Sequence, residues 1–206
     1  MNKSSFFGAV SIAIMSISMA FASPQQAVSQ LKDNATQVLN ILSSANGKND
    51  NQVRRQAENY AIPYFDFERM TALAVGAPWR TASTAQQQAL TQEFKTLLIR
   101  TYSGTMLKFK NAQANVYSNP VVNKGGREII VRVDVTTPNS KPVRMDYTLY
   151  QAGNIYRIYN VAVEGASLVT VYRNQFNQTI SQKGIDGLVA DLRAKTVNNH
   201  ANQRAG

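Results

Sequence analysis

The sequence is 206 residues long with no cysteine and one histidine, and it carries 22 basic against 12 acidic residues, a net charge of +10. That length suits one domain or two small lobes around a real core. The missing thiols exclude disulfides and cysteine-ligated metal. A basic surface seeks anionic partners: nucleic acid, lipid headgroups or an acidic protein face.

The chain opens with Met1-Asn2-Lys3 and an apolar, uncharged run over 6–19, and Ala20-Phe21-Ala22 places small residues ahead of Ser23. This is the pattern of a secretory signal peptide over 1–22, cleaved after Ala22. Its apolar run falls short of the roughly 20 residues that a spanning helix needs. The expectation is an exported protein, released without a lipid anchor, with a single domain over 23–197 and a polar, disordered tail over 198–206. Export makes nucleic acid the least suitable of the three anionic partners.

Residues 24–44 read as a first helix, with Pro24 in its first turn and Val28, Leu31, Ala35, Val38, Leu39 and Leu42 on one face. A shorter helix over 52–61 stops at Pro63. Asp66 is placed to cap a third helix over 67–75, ended by Gly76. Ser83 and Gln86 form a capping-box pattern ahead of the longest helix, 84–108, about 37 Å at 1.5 Å per residue. Its apolar stripe runs from Leu90 to Phe109, and Gly104 within it suggests a bend or a close backbone contact. The period then changes from 3.6 to 2. Strands are expected over 114–122, 129–136, 143–150 and 155–164, joined by turns at 124–126, 138–142 and 153–154. Connections this short make an antiparallel meander. A tight turn at 164–167 leads to a helix ended by Gly184, and a last helix covers 186–197. Helices, four strands, then helices make the class α+β, NTF2-like in part. The stretch 155–176 is central to it, because the turn folds a strand and a helix back upon one apolar space.

Catalytic chemistry is sparse. His200, the one imidazole, lies in the predicted tail, so the folded part lacks imidazole bases, thiol nucleophiles and the usual zinc ligands. What is left to an enzyme is carboxylate chemistry in an apolar pocket, as in steroid-isomerase-like folds, where an Asp base and a Tyr donor suffice. Asp134 and Asp146, however, alternate onto the more polar side of their strands, where they are expected to pair with Arg132 and Arg144. Glu164 at the turn could cap the next helix or bind a partner.

Two blocks resemble a known family. Gly76-Ala77-Pro78-Trp79-Arg80-Thr81-Ala82-Ser83, with Phe94, Leu97 and Tyr102, resembles the helical region of the MlaC, or toluene-tolerance, family. Tyr159-Asn160-Val161-Ala162-Val163-Glu164-Gly165-Ala166-Ser167-Leu168, then Tyr172-Arg173-Asn174-Gln175-Phe176 and Gly184-Ile185-Asp186-Gly187-Leu188, resembles its C-terminal signature. The similarity runs from about residue 30 to 195. Asn160 departs from it, since the family usually has Asp after the Tyr.

The resemblance implies a periplasmic auxiliary component of an ABC transporter. Such a protein carries a glycerophospholipid between an outer-membrane lipoprotein and an inner-membrane MCE-domain complex, and so maintains outer-membrane lipid asymmetry. It would act as a monomer, with the lipid as cargo, no cofactor, no metal and no nucleic acid. Combining motif and period, the expected lipid-binding residues are Val75, Trp79, Phe94, Leu98, Tyr102, Met106, Val131, Val133, Met145, Tyr147, Val161, Val163, Leu168, Tyr172 and Phe176. Arg80, Arg100, Lys108, Lys110, Arg132, Arg144 and Arg173 are candidates for the cavity mouth or a docking face. The alternative is a small carboxylate-based isomerase or hydrolase with an apolar pocket. A third is a binding module whose aromatics only fill a core.

Overall fold

The computed structural model describes residues 23–204, with side chains over 23–196. The predicted signal peptide and residues 205–206 lie outside the described residues. Helix α1 (Pro24–Ser43) begins where the Ser23 hydroxyl accepts from Gln25 N, with Pro24 in its first turn. Helix α2 (Asp50–Ala61) follows, and then α3 (Phe67–Val75), whose Arg69 amide donates to the capping Asp66 carboxylate at 2.9 Å. Helix α4 (Thr84–Met106) starts in the expected capping box. Gln86 N donates to Ser83 Oγ at 3.2 Å, and Ser83 N donates to Gln86 Oε1 at 3.0 Å. Gly104 lies within this uninterrupted helix and meets no neighbour, as nothing lies within 4 Å of its would-be Cβ.

The strands are β1 (Gln113–Val116), β2 (Val121–Asn123), β3 (Glu128–Thr136), β4 (Val143–Ala152), β5 (Ile155–Val163) and the two-residue β6 (Ala166–Ser167). Their order is β1-β3-β4-β5-β6, with β2 also on β3, and every strand pair is antiparallel. The meander is therefore the expected one with its first member divided. Pro120 supplies no donor for the ladder, so β1 and β2 pair with β3 separately rather than as one strand over 114–122. Helix α5 (Leu168–Arg204) closes the chain. Its backbone leaves helical geometry at Gly184 (φ 69°, ψ −174°), where the sequence places a helix end, and it continues past residue 197 to Arg204.

Arginines and aspartates face each other across β3 and β4 as the alternation requires. Arg132 stands opposite Asp146 and Arg144 opposite Asp134, with Nε–Oδ1 distances of 2.8 and 3.3 Å. These pairs occupy the outer sheet face. Ile129, Val131 and Val133 of β3 are buried on the inner face, and Leu149 and Val161 are buried beside them on β4 and β5.

One irregularity redirects the chemistry of β5. The register slips between Thr148 and Leu149, so that Thr148 pairs with Asn160 and Leu149 with Ile158, leaving Tyr159 as an extra residue. Ile158 stays on the inner face, while Tyr159 turns outward against Tyr150, their ring centroids 5.8 Å apart. The Arg69 guanidinium of α3 lies over both rings, 3.8 Å from the centroid of Tyr159 and 4.4 Å from that of Tyr150.

The helices α3, α4 and α5 share a filled core. Phe94 of α4 meets Tyr172 and Phe176 of α5 edge-on, at centroid distances of 4.9 and 5.0 Å. Val75, Leu90, Leu97, Leu188 and Leu192 close around them. Truncation of Phe94 to Ala leaves a void in this cluster and is expected to cost about 3–5 kcal/mol of folding stability. The midpoint of urea unfolding against the wild type checks it.

Candidate functional site

The inner sheet face and the helices do not meet everywhere. Between them lies a cavity of about 500 Å³, bounded by α1, the end of α2, the start of α3, the C-terminal half of α4, the sheet and the first residue of α5. That volume falls within the range of small-molecule sites. Its wall is almost wholly apolar, and among the described residues no lysine or arginine contributes to it.

Three local devices hold the walls apart. Helix α1 is tied to β5 by Gln30, whose amide nitrogen donates to Tyr156 O at 2.7 Å and whose oxygen accepts from Tyr156 N at 2.8 Å. The segment between α2 and α3 is tied to β5 by a parallel bridge between Phe65 and Ile158, with Asp66 N donating to Ile158 O at 2.8 Å. Helix α5 is tied to β5 by the turn at Glu164 and Gly165, which have φ of 49° and 81°. Positive φ at both central residues is the geometry of the two-residue hairpin. Glu164 does not cap α5. Its carboxylate accepts from Arg144 N, extending the β4 edge, and the cap is Ser167, whose Oγ accepts from Thr170 N at 3.3 Å. Ser167 in turn donates to Asn160 Oδ1 at 2.9 Å, which gives the residue that departs from the family pattern a structural task.

Of the fifteen residues expected at the site, Leu98, Tyr102, Met106, Val133, Met145, Tyr147, Val161, Val163 and Leu168 line the cavity. The other six do not. Phe94, Tyr172 and Phe176 interlock in the packed helical core, with Val75 buried beside them and Trp79 packed on its edge. Val131 is fully buried within the sheet's own apolar cluster. The reason is that the stripe on α4 winds between two environments. Its first part, Leu90, Phe94 and Leu97, faces α3 and α5, and its last part, from Leu98 to Met106, faces the void.

The wall also holds residues absent from that expectation: Leu31, Val38 and Leu42 of α1, and Tyr64, Phe65 and Phe109. The α1 stripe was visible as periodicity, but nothing in the sequence said which sheet face it covers. Tyr102, 41% exposed, and the exposed Thr105 mark where the void approaches the surface. Lys108 and Lys110 are exposed in the turn just beyond Met106. Arg132 and Arg144 are instead engaged on the outer sheet face, and Arg173 Nε donates to Leu73 O at 2.8 Å near the end of α3.

Carboxylates are poorly placed for base chemistry here. Asp134 and Asp146 lie on the opposite sheet face, and a hydrogen bond from the Tyr117 hydroxyl, together with Arg144, holds Asp134 below its usual range. Glu58 reaches the wall but pairs with Arg54 at 3.5 Å. Tyr147 faces the void, and desolvation pushes its phenol up to about 12, so it stays neutral at physiological pH. No group of three or more His, Cys, Asp or Glu among the described residues is arranged to hold a metal ion, and no described helix is long and apolar enough to cross a membrane.

The model of the MlaC protein family matches residues 32–194. The chain belongs to the MlaC family. Two relatives of this MlaC-family chain are informative. A toluene tolerance protein, ttg2D, of Pseudomonas putida is 28% identical over 107 residues, which are 52% of this chain and 49% of that protein. The match thus spans about half the length of the curated relative. The solved structure of a phospholipid-binding protein from Ralstonia solanacearum, in complex with a phospholipid, superposes with a TM-score of 0.76 at 28% identity. It covers 85% of this chain and 99% of that one.

Two outcomes follow from the divided stripe and the buried phenols. Met106→Trp and Val163→Trp should fill part of the cavity while leaving thermal unfolding near the wild-type temperature; a large fall for both would place them in a close-packed core. Tyr147 and Tyr172 both have phenols raised from 10 to about 12, by burial in each case, with Tyr102 adding to the shift at Tyr172. The native chain therefore keeps protons that the unfolded chain gives up. Their contribution to stability is intact below pH 10 and is lost as the pH rises towards 12. Chemical unfolding across that window should show the decline, and Tyr147→Phe should make it shallower.

Proposed function

We propose that this chain is a non-enzymatic periplasmic carrier that shields the acyl chains of a glycerophospholipid in its cavity. It would move that lipid between an outer-membrane lipoprotein and an inner-membrane MCE-domain ABC transporter complex, and would act as a monomer. The observation that carries this reading is the apolar, cation-free void between sheet and helices in a chain that superposes on a phospholipid-bound structure.

The physical requirement is simple. Each methylene moved out of water is worth about 0.8 kcal/mol, so two long acyl chains cross an aqueous space only inside a cover. The wall offers that cover through methionine, valine, leucine and aromatic side chains that adapt to irregular chains. A charged headgroup finds no cation on the wall and keeps its hydration outside, near the exposed Lys108 and Lys110. Selectivity then rests on the tails, and the net charge of +10 favours approach to anionic surfaces.

Native mass spectrometry of the chain purified from an expressing cell tests this reading. The expected result is a bound two-chain phospholipid that is lost on denaturation and depleted in Met106→Trp. Protein without lipid that turns over ester or ketone substrates would overturn it.

A further inference from the structure

Tyr147 stands in the middle of the sheet, opposite Val131 of β3 and Val161 of β5, and its side chain faces the void. Among the described residues its hydroxyl meets no oxygen or nitrogen; its one contact is the Met145 thioether sulfur at 3.5 Å, a weak acceptor. Two other polar groups of the wall are already engaged. Asn34 accepts from the Tyr60 hydroxyl at 3.2 Å, and Glu58 is paired with Arg54. A half-buried hydroxyl in an apolar wall with so poor a partner is costly, and a phenylalanine would pack this position without that cost. The donor is therefore available to whatever fills the void.

We propose that the Tyr147 hydroxyl donates a hydrogen bond to an acyl-ester carbonyl of the bound lipid, so that the site distinguishes ester-linked from ether-linked chains. This rests on the carrier reading above and specifies which part of the lipid the wall recognises. A neutral donor in an apolar wall suits a neutral acceptor. The phosphodiester is anionic and would lose its hydration here without gaining a cation. The ester carbonyls are the acceptors that accompany the chains out of water. Met145, beside the hydroxyl and flexible, gives up its weak contact when the carbonyl arrives.

The test is calorimetric titration of the full chain, stripped of endogenous lipid, with a diester glycerophospholipid and with its diether counterpart of the same headgroup and chain length. The wild type is expected to bind the diester about three- to tenfold more tightly, the worth of one neutral hydrogen bond. Tyr147→Phe should bring the diester to the diether affinity and leave the diether unchanged. Met145→Leu should keep the preference. Equal binding of both lipids by the wild type would overturn the assignment while leaving the carrier reading in place, as would equal weakening of both by Tyr147→Phe. Binding of neither lipid by the wild type would overturn both.

Discussion

The outer edge of β5 governs how this molecule is built. A sheet edge presents unpaired backbone groups that must be satisfied or hidden. Here no long strand does so. The Gln30 side chain serves Tyr156, the Phe65–Asp66 segment serves Ile158, and two residues of β6 serve Ala162 and Val163. Each device belongs to a different helical segment, so one edge fixes the positions of α1, α3 and α5. The helices hang from the sheet by these hydrogen bonds, and α1 packs Ala27, Val28 and Leu31 into the inner-face cluster while the rest of its apolar stripe borders the void. A hollow is what such suspension permits.

Helix α4 joins the two regimes. Its N-terminal half is clamped in an aromatic cluster with α5, and its C-terminal half roofs the cavity. Over that half, Leu98, Ile99, Tyr102 and Met106 face the void, so widening it costs mainly apolar contact. Helix α4 is thus firmly anchored at one end and borders open space at the other.

The elements were legible because periodicity and caps act locally. The Ser83–Gln86 box, the Asp66 cap, the alternation over 129–136 and the positive-φ turn before Ser167 each depend on a few adjacent residues, and each stands where the sequence places it. The arginine–aspartate pairs across β3 and β4 were legible for the same reason. The cavity wall was legible only in part. Leu98, Met106 and Val163 line it, but Phe94, Tyr172 and Phe176 obey the same periodicity and lie in a filled core. Whether an apolar face meets side chains or space depends on the tilt of one helix against others, which no local pattern encodes. The bulge at Tyr159 is of the same kind. It breaks an alternation that reads as continuous and sends one tyrosine to the opposite face.

The hollow also has a volumetric consequence. Space enclosed by a folded chain and inaccessible to close packing disappears when the chain unfolds, and pressure favours the smaller state. The unpacked space of this fold lies between β4 and α4, so that is where hydrostatic pressure acts on it most. An occupant that fills the hollow removes that excess volume and becomes, mechanically, a missing piece of the core. Loading and compressibility are thus one property of this fold, set by the same few ångströms between a sheet and the helices hung from its edge.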